Sequence, residues 1–152
     1  MSSQAKEAAA VVGRLLLAAL FIHEAWSKLA GYSAAVAYAQ AFGVPAALMP
    51  LAVATEAGCA ILILVGYHAR AAALLLAAFC MATAVIFHSN LTSRNELLHF
   101  EKDLAIAGGL AVLFARGAGG WALDALRSAA AAGTSEPAAK TKLHPLSRRG
   151  IG

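Results

Sequence analysis

The chain has 152 residues, 61% of them hydrophobic and only 13% charged, with a mean hydropathy of +0.70. Soluble domains sit near half apolar and a quarter charged, so this composition excludes a disordered chain, a coiled coil and an ordinary cytosolic enzyme. The formal charge of +4 points to basic surface, but most of the chain is too apolar to form a basic groove, which excludes nucleic acid as a partner.

Four apolar stretches, at about 8–30, 46–66, 69–88 and 97–115, predict an all-α integral membrane four-helix bundle. A helix needs roughly 20 residues to cross about 30 Å of hydrocarbon. The first stretch resembles a signal peptide, with Lys6, Arg14 and the apolar run from Leu15 to Ile22. Glu7 dilutes its basic end, and His23-Glu24-Ala25-Trp26-Ser27-Lys28 is a poor cleavage site, so it reads as a retained span. The loop that follows, with Gly31, Tyr32, residues 34–42, Gly43 and Pro45, predicts a short interfacial helix with Tyr32, Tyr38 and Phe42 at head-group level. Gly66-Tyr67-His68 is a tight turn and makes the second and third spans an antiparallel hairpin. A short polar loop, Ser89 to Asn95, leads to the fourth span.

The fourth span carries the sharpest constraint. Its uncharged part, Leu104 to Ala115, covers only about 18 Å at roughly 1.5 Å per residue. To cross, it must extend upstream to about Leu97, which draws Glu101, Lys102 and Asp103 beneath the outer head groups. Residues 1–127 are read as the four-span domain. Residues 128–152, Ala/Ser/Gly-rich and then basic around Pro137 and Pro145, are read as a disordered cytoplasmic tail that can rest on anionic lipid. Lys6, Arg70, Arg116, Arg127, Lys140, Lys142, Arg148 and Arg149 fall on one side of the membrane and Lys28, Arg94 and Lys102 on the other, so both termini should be cytoplasmic. Gly58, Gly108, Gly109 and the many alanines let helices approach closely and leave no room for a wide aqueous pore.

Polar residues inside the bilayer concentrate in the outer half of the bundle. Glu56 lies about 15 Å below the outer end of the second span, near the midplane. Glu24 and His23 are in the outer third of the first span, with Lys28 one turn beyond Glu24. His88 ends the third span; Lys102 and Asp103 sit about 7–9 Å below the outer end of the fourth, with His99 one turn above. An ionisable group at the bilayer centre costs roughly 2.5–3.5 kcal/mol on insertion scales and usually marks function. The expectation is one outward-facing polar pocket with Glu56 at its floor. In it, Glu56, Lys102 and His88 would exchange protons, and His23, Glu24, Lys28, His88, His99, Lys102 and Asp103 would surround a ligand. The structural alternative is that Glu56 pairs with Lys102 only to set helix register. Arg14 and Arg70, in the apolar inner half, can snorkel to the interface.

The chemistry open to such a pocket is narrow. There is no HExxH, because Lys28 occupies the later turn. Ligand types for a metal are present in His23, Glu24, Glu56 and His88, but in no recognised spacing. Cys59 and Cys80 lie mid-helix, more in keeping with packing than with a redox pair. A buried carboxylate beside His and Lys suits proton exchange and a quinone head group, whose carbonyls need hydrogen-bond donors.

The run from Gly13 to Ile22 followed by Lys28, then Gly43-Val44-Pro45, Glu56-Ala57-Gly58, Leu64-Val65-Gly66-Tyr67 with Arg70, Phe87-His88, Phe100-Glu101-Lys102-Asp103-Leu104-Ala105, Gly108-Gly109-Leu110, and Gly117, Gly119 and Leu123-Asp124 together resemble the DoxX family of small bacterial membrane proteins. The likeness covers roughly residues 10–125. It implies a four-span inner-membrane protein with Arg14, Lys28, Glu56, His88 and Lys102 as matched polar positions. It also implies a link to membrane redox complexes, since the family is named for a subunit of a thiosulfate:quinone oxidoreductase. His23-Glu24 replaces small residues common before the lysine, and Asp103 replaces a frequent Asn. The leading functional expectation is therefore a redox-linked, quinone-binding membrane subunit or accessory protein. The chain carries no haem, flavin or iron–sulfur motif, so a redox partner protein would supply the electron carrier. The alternatives are a membrane scaffold or assembly protein, whose close-packing Ala/Gly faces would bind another membrane protein, and a small proton-coupled transporter with Pro50 as its only candidate helix break; a homo-oligomer is a further expected association.

Overall fold

The computed structural model describes residues 2–134. The chain folds into six helices: α1 (Ser3–Ala30), α2 (Tyr32–Ala41), α3 (Met49–Val65) led by a short 3₁₀ turn (Ala46–Leu48), α4 (Ala69–Phe87), α5 (Arg94–Arg116) and α6 (Leu123–Thr134). No strand occurs among the described residues.

Local sequence sets the helix ends. Ser2 caps α1, its hydroxyl accepting from the Ala5 amide at 3.2 Å. Pro50 occupies the first turn of α3, where its missing N–H has no intrahelical acceptor to lose, so α3 is unbroken. Gly66 closes α3 in the left-handed conformation (φ +70°), with the Tyr67 amide reaching back to the Leu62 carbonyl. α5 starts at Arg94 rather than near Leu97. Ser93 is extended ahead of it, and Glu96 sits in its first turn, where the helix dipole favours negative charge.

Three stretches, Ser3–Ala30, Ala46–Val65 and Ala69–Phe87, are long and apolar enough to cross a membrane. α5 is long enough, at about 34 Å, but too charged to qualify on composition alone. It packs along α4 in the most extensive helix contact of the molecule. α1 lies on α3, and α3 on α4. The inner half, at the end where the α3–α4 turn lies, is filled by small and branched side chains. Ala60, Ile63, Ala73, Leu76 and Leu110 are wholly buried there. Large apolar side chains such as Leu16, Leu51 and Val112 stand outward, more than 60% exposed, as a lipid-facing surface requires.

At the outer end α2 folds back over α1 and α3, burying Ala25, Ala39, Met49 and Val53. The rings of Tyr38, Phe42 and Phe87 meet there with centroids 5.0–5.6 Å apart, joining the first loop to the end of α4. The short helix expected in that loop is therefore present.

Two expectations change at the inner end. Arg14 does not snorkel: it is 5% exposed and donates from Nη2 to the Trp121 carbonyl at 2.7 Å. Gly66 has no Cβ, and a Cβ there would collide with Arg14 Nη1, so the glycine makes room for the guanidinium at the carboxyl end of α3. The presumed tail is helical at its start. α6 runs through Thr134, past the boundary at residue 127, because the alanines that suggest low complexity are also the strongest helix formers. Residues 135–152, with Lys140, Lys142, Arg148 and Arg149, lie outside the described residues.

Candidate functional site

α1 and α5 make few backbone contacts. In the inner half Leu17 reaches the Gly109 backbone, a Cβ there standing 4.0 Å from Leu17 Cδ2. In the outer half the helices leave a cleft of about 650 Å³ between α1, α2, α3, α4 and α5. Its walls are largely apolar, with Leu20, Phe21, Met49, Phe79, Phe87 and Ile106. Its polar groups fall into two sets on opposite walls.

The first set joins α1 to α3. Met49, Val53, Glu56, Cys59, Ala60 and Ile63 are the buried residues of α3, so the carboxylate sits on the core stripe of its helix. Glu56 is 2% exposed. Lys28 Nζ donates to Glu56 Oε1 at 2.9 Å and to Glu24 Oε2 at 3.3 Å. The lysine thus bridges a buried and a half-exposed carboxylate. Among the described residues, Glu56 Oε2 has no hydrogen-bond partner.

The second set joins α4 to α5. His88 Nδ1 lies 2.7 Å from Glu96 Oε2, and the His88 and His99 rings stack with centroids 4.9 Å apart. Deeper, Thr83 Oγ1 points at Asp103 Oδ2 at 3.5 Å, while its shorter bonds go to the Phe79 and Cys80 carbonyls. Tyr38 closes the rim from α2. Partial burial, and after it the negative charge of Glu96, push the Tyr38 hydroxyl above its usual range, so it remains a proton donor.

Of the residues expected around the pocket, Glu24, Lys28, Glu56, His88, His99, Lys102 and Asp103 line this one cleft. His23 does not. It is exposed and outside the cleft, because about 100° of helix rotation separates it from each neighbour, while Phe21, Ala25 and Lys28 take the inward positions. The ligand set of His23, Glu24, Glu56 and His88 therefore does not assemble. Nor is Lys102 the cation that meets Glu56; Lys28 is. α3 packs against α1, so the near cation comes from α1 and Lys102 stays at the exposed rim. The charged triplet divides: Asp103 is half-buried toward Thr83, and Glu101 is exposed outside the cleft.

Sequence reasoning missed Glu96, Thr83 and Asn95, and it read Tyr38 only as a head-group anchor. A signal for Glu96 existed: an acid in the first turn of a helix, one short loop after a helix-ending histidine, is placed to meet that histidine. Cys59 and Cys80 are buried, unbridged thiols of the same core cluster, and Cys80 also borders the cleft.

Comparison with known proteins is consistent with this architecture. The DoxX family profile matches residues 9–89. The chain is 39% identical over 116 residues to the inner membrane protein YqjF of Escherichia coli K12, covering 76% of this chain and 89% of that protein. It is 29% identical over 121 residues to the inner membrane protein YphA of the same organism, covering 75% and 86%. No solved structure matches the chain.

Proposed function

This chain belongs to the DoxX family, and from that premise we propose that it is an inner-membrane, redox-linked subunit whose outer-half cleft binds a quinone-type head group. The relatives' inner-membrane location supports the same location here, and we take both termini to be cytoplasmic. The described arginines of the inner end and the N-terminal Lys6 agree with that orientation.

One observation carries the reading. Glu56 presents a buried carboxylate to an apolar cleft of about 650 Å³, with one oxygen held by Lys28 and the other unpartnered. A buried polar atom left open in this way favours a ligand that can supply or receive a proton. The dimensions and the apolar walls suit a ring. A quinone brings two-electron, two-proton redox chemistry. The protein's part is to hold the ring and handle protons. Lys28, the free ring nitrogen of His88, His99 and Tyr38 are donors toward carbonyl oxygens, and Glu56 is the group able to take or give a proton at depth. A partner protein supplies the electrons.

The test is extraction of lipid-soluble redox compounds from protein purified in mild detergent, followed by titration with a short-chain ubiquinone. Retention of a quinone by the native chain, and loss of binding in a folded Glu56→Gln variant, supports the proposal. If the native chain retains none and both proteins take up the added quinone equally weakly, the cleft is not a quinone site. A Glu56→Gln variant that loses only thermal stability would favour the scaffold reading instead.

A further inference from the structure

We infer that α6, with the Trp121 step before it, is an in-plane helix that docks on acidic phospholipid at the inner end of the bundle. The helix is mounted inside out. In a water-facing amphipathic helix the apolar face turns to the protein and the polar face outward. Here Asp124 and Arg127, in the first two turns, reach the α3–α4 turn. Asp124 accepts from the His68 and Ala69 amides at 2.9 and 3.1 Å, capping the first turn of α4 from across the chain. Arg127 lies over the Tyr67 ring at 5.0 Å, with Nη1 3.4 Å from His68 Nε2. The backbone is tied as well. The Asp124 amide donates to the Gly66 carbonyl, Arg14 holds the Trp121 carbonyl, and the Gly120 amide donates to Glu7.

Trp121, Leu123 and Leu126 consequently face outward at 61%, 44% and 65% exposure. Between them and Val65 lies a hollow of about 290 Å³ with almost wholly apolar walls, suited to acyl chain. A tryptophan beside such a face is typical of the head-group boundary.

The charge favours an acidic lipid over a neutral one. Arg70 and Arg116 are exposed at this end, and neither is ion-paired among the described residues. Two described carboxylates at this end, Glu7 and Asp124, are already occupied by backbone amides. An anionic head-group layer would complement the arginines, each worth about 1 kcal/mol near such a surface, equivalent to about fivefold in lipid preference.

The full chain with Trp26→Phe keeps Trp121 as its single tryptophan. It is reconstituted in phosphatidylcholine vesicles with and without phosphatidylglycerol, using chain-brominated lipids as membrane quenchers and acrylamide as the aqueous quencher. The expected result is quenching by the bromines, poor access for acrylamide, and stronger quenching by brominated phosphatidylglycerol than by brominated phosphatidylcholine at equal mole fraction. Arg116→Gln and Arg70→Gln should each reduce that preference by up to about fivefold, with thermal unfolding verifying the fold. Full acrylamide access would place the helix in water and overturn the inference. Protection from both quenchers would mean that a protein surface covers the face, and equal quenching by the two lipids would remove the acidic-lipid component.

Discussion

The two halves of this bundle use the same four long helices for opposite purposes. In the inner half, Ala60, Ala73, Ile63, Leu76 and Leu110 exclude all solvent, and the buried cation Arg14 is held against the Trp121 carbonyl beside the closing glycine of α3. In the outer half, α1 and α5 part, and the ionisable groups of four helices face a common space. Apolar packing alone would close that space. The charges there pair within each wall: Lys28 joins α1 to α3, and the His88–Glu96 contact joins α4 to α5, but among the described residues no ion pair links one wall to the other. The outer half is therefore two helix pairs facing each other across the cleft, joined below by the packed core and above by the Tyr38–Phe42–Phe87 rings.

The strongest way to break this contrast is at Lys28. Lys28→Ala leaves Glu56 buried without its cation, and the loss should be about 3–5 kcal/mol, read as a large drop in thermal midpoint in detergent. Adding Glu56→Gln to the same chain should recover most of it, because the uncompensated charge disappears. Additive losses in the double variant would mean that the two residues act separately and that the outer half is not organised around this pair.

The packed half should respond to volume instead of charge. Leu110→Ala removes a wholly buried side chain and should cost about 2–5 kcal/mol. Ile106→Ala, one turn away on the cleft wall, should cost clearly less, because part of its surface already borders open space. Equal costs would show that the cleft closes around its walls when unoccupied. At the inner end, Asp124→Ala removes the acceptor for two amides of α4 and should cost about 1–2 kcal/mol. Asp124→Asn should keep part of that, since its side-chain oxygen can still accept.

Hydropathy was enough to find the four long helices and the short helix in the first loop. It was not enough to find neighbours. Depth puts Glu56, Lys28 and Lys102 within reach along the bundle axis, and only the order in which helices pack decides which cation meets the acid. That order depends on side-chain fit along whole faces, notably α3 lying on α1. His23 failed for a smaller reason: its rotation about the helix turns it out of the cleft. α6 failed because a run of alanines has two readings, and the deciding contacts, Asp124 and Arg127 on the α3–α4 turn, lie more than fifty residues away in sequence.

The smallest expected effect sharpens the comparison within the outer half itself. Glu24 and Glu56 share Lys28, yet the Glu24 side chain is 50% exposed and the Glu56 side chain 3%. An exposed pair at i,i+4 gains little, because water screens it and ordering the side chains offsets the attraction. Glu24→Gln should therefore change stability by less than about 1 kcal/mol. Its effect should appear in binding: without Glu24, the ammonium of Lys28 is held by Glu56 alone, and its donation toward a ligand in the cleft is weakened. Quinone titration of Glu24→Gln beside Glu56→Gln separates these roles. A stability loss for Glu24→Gln as large as that for Lys28→Ala would show that the lysine holds the two carboxylates as one unit, and that depth does not set which acid matters.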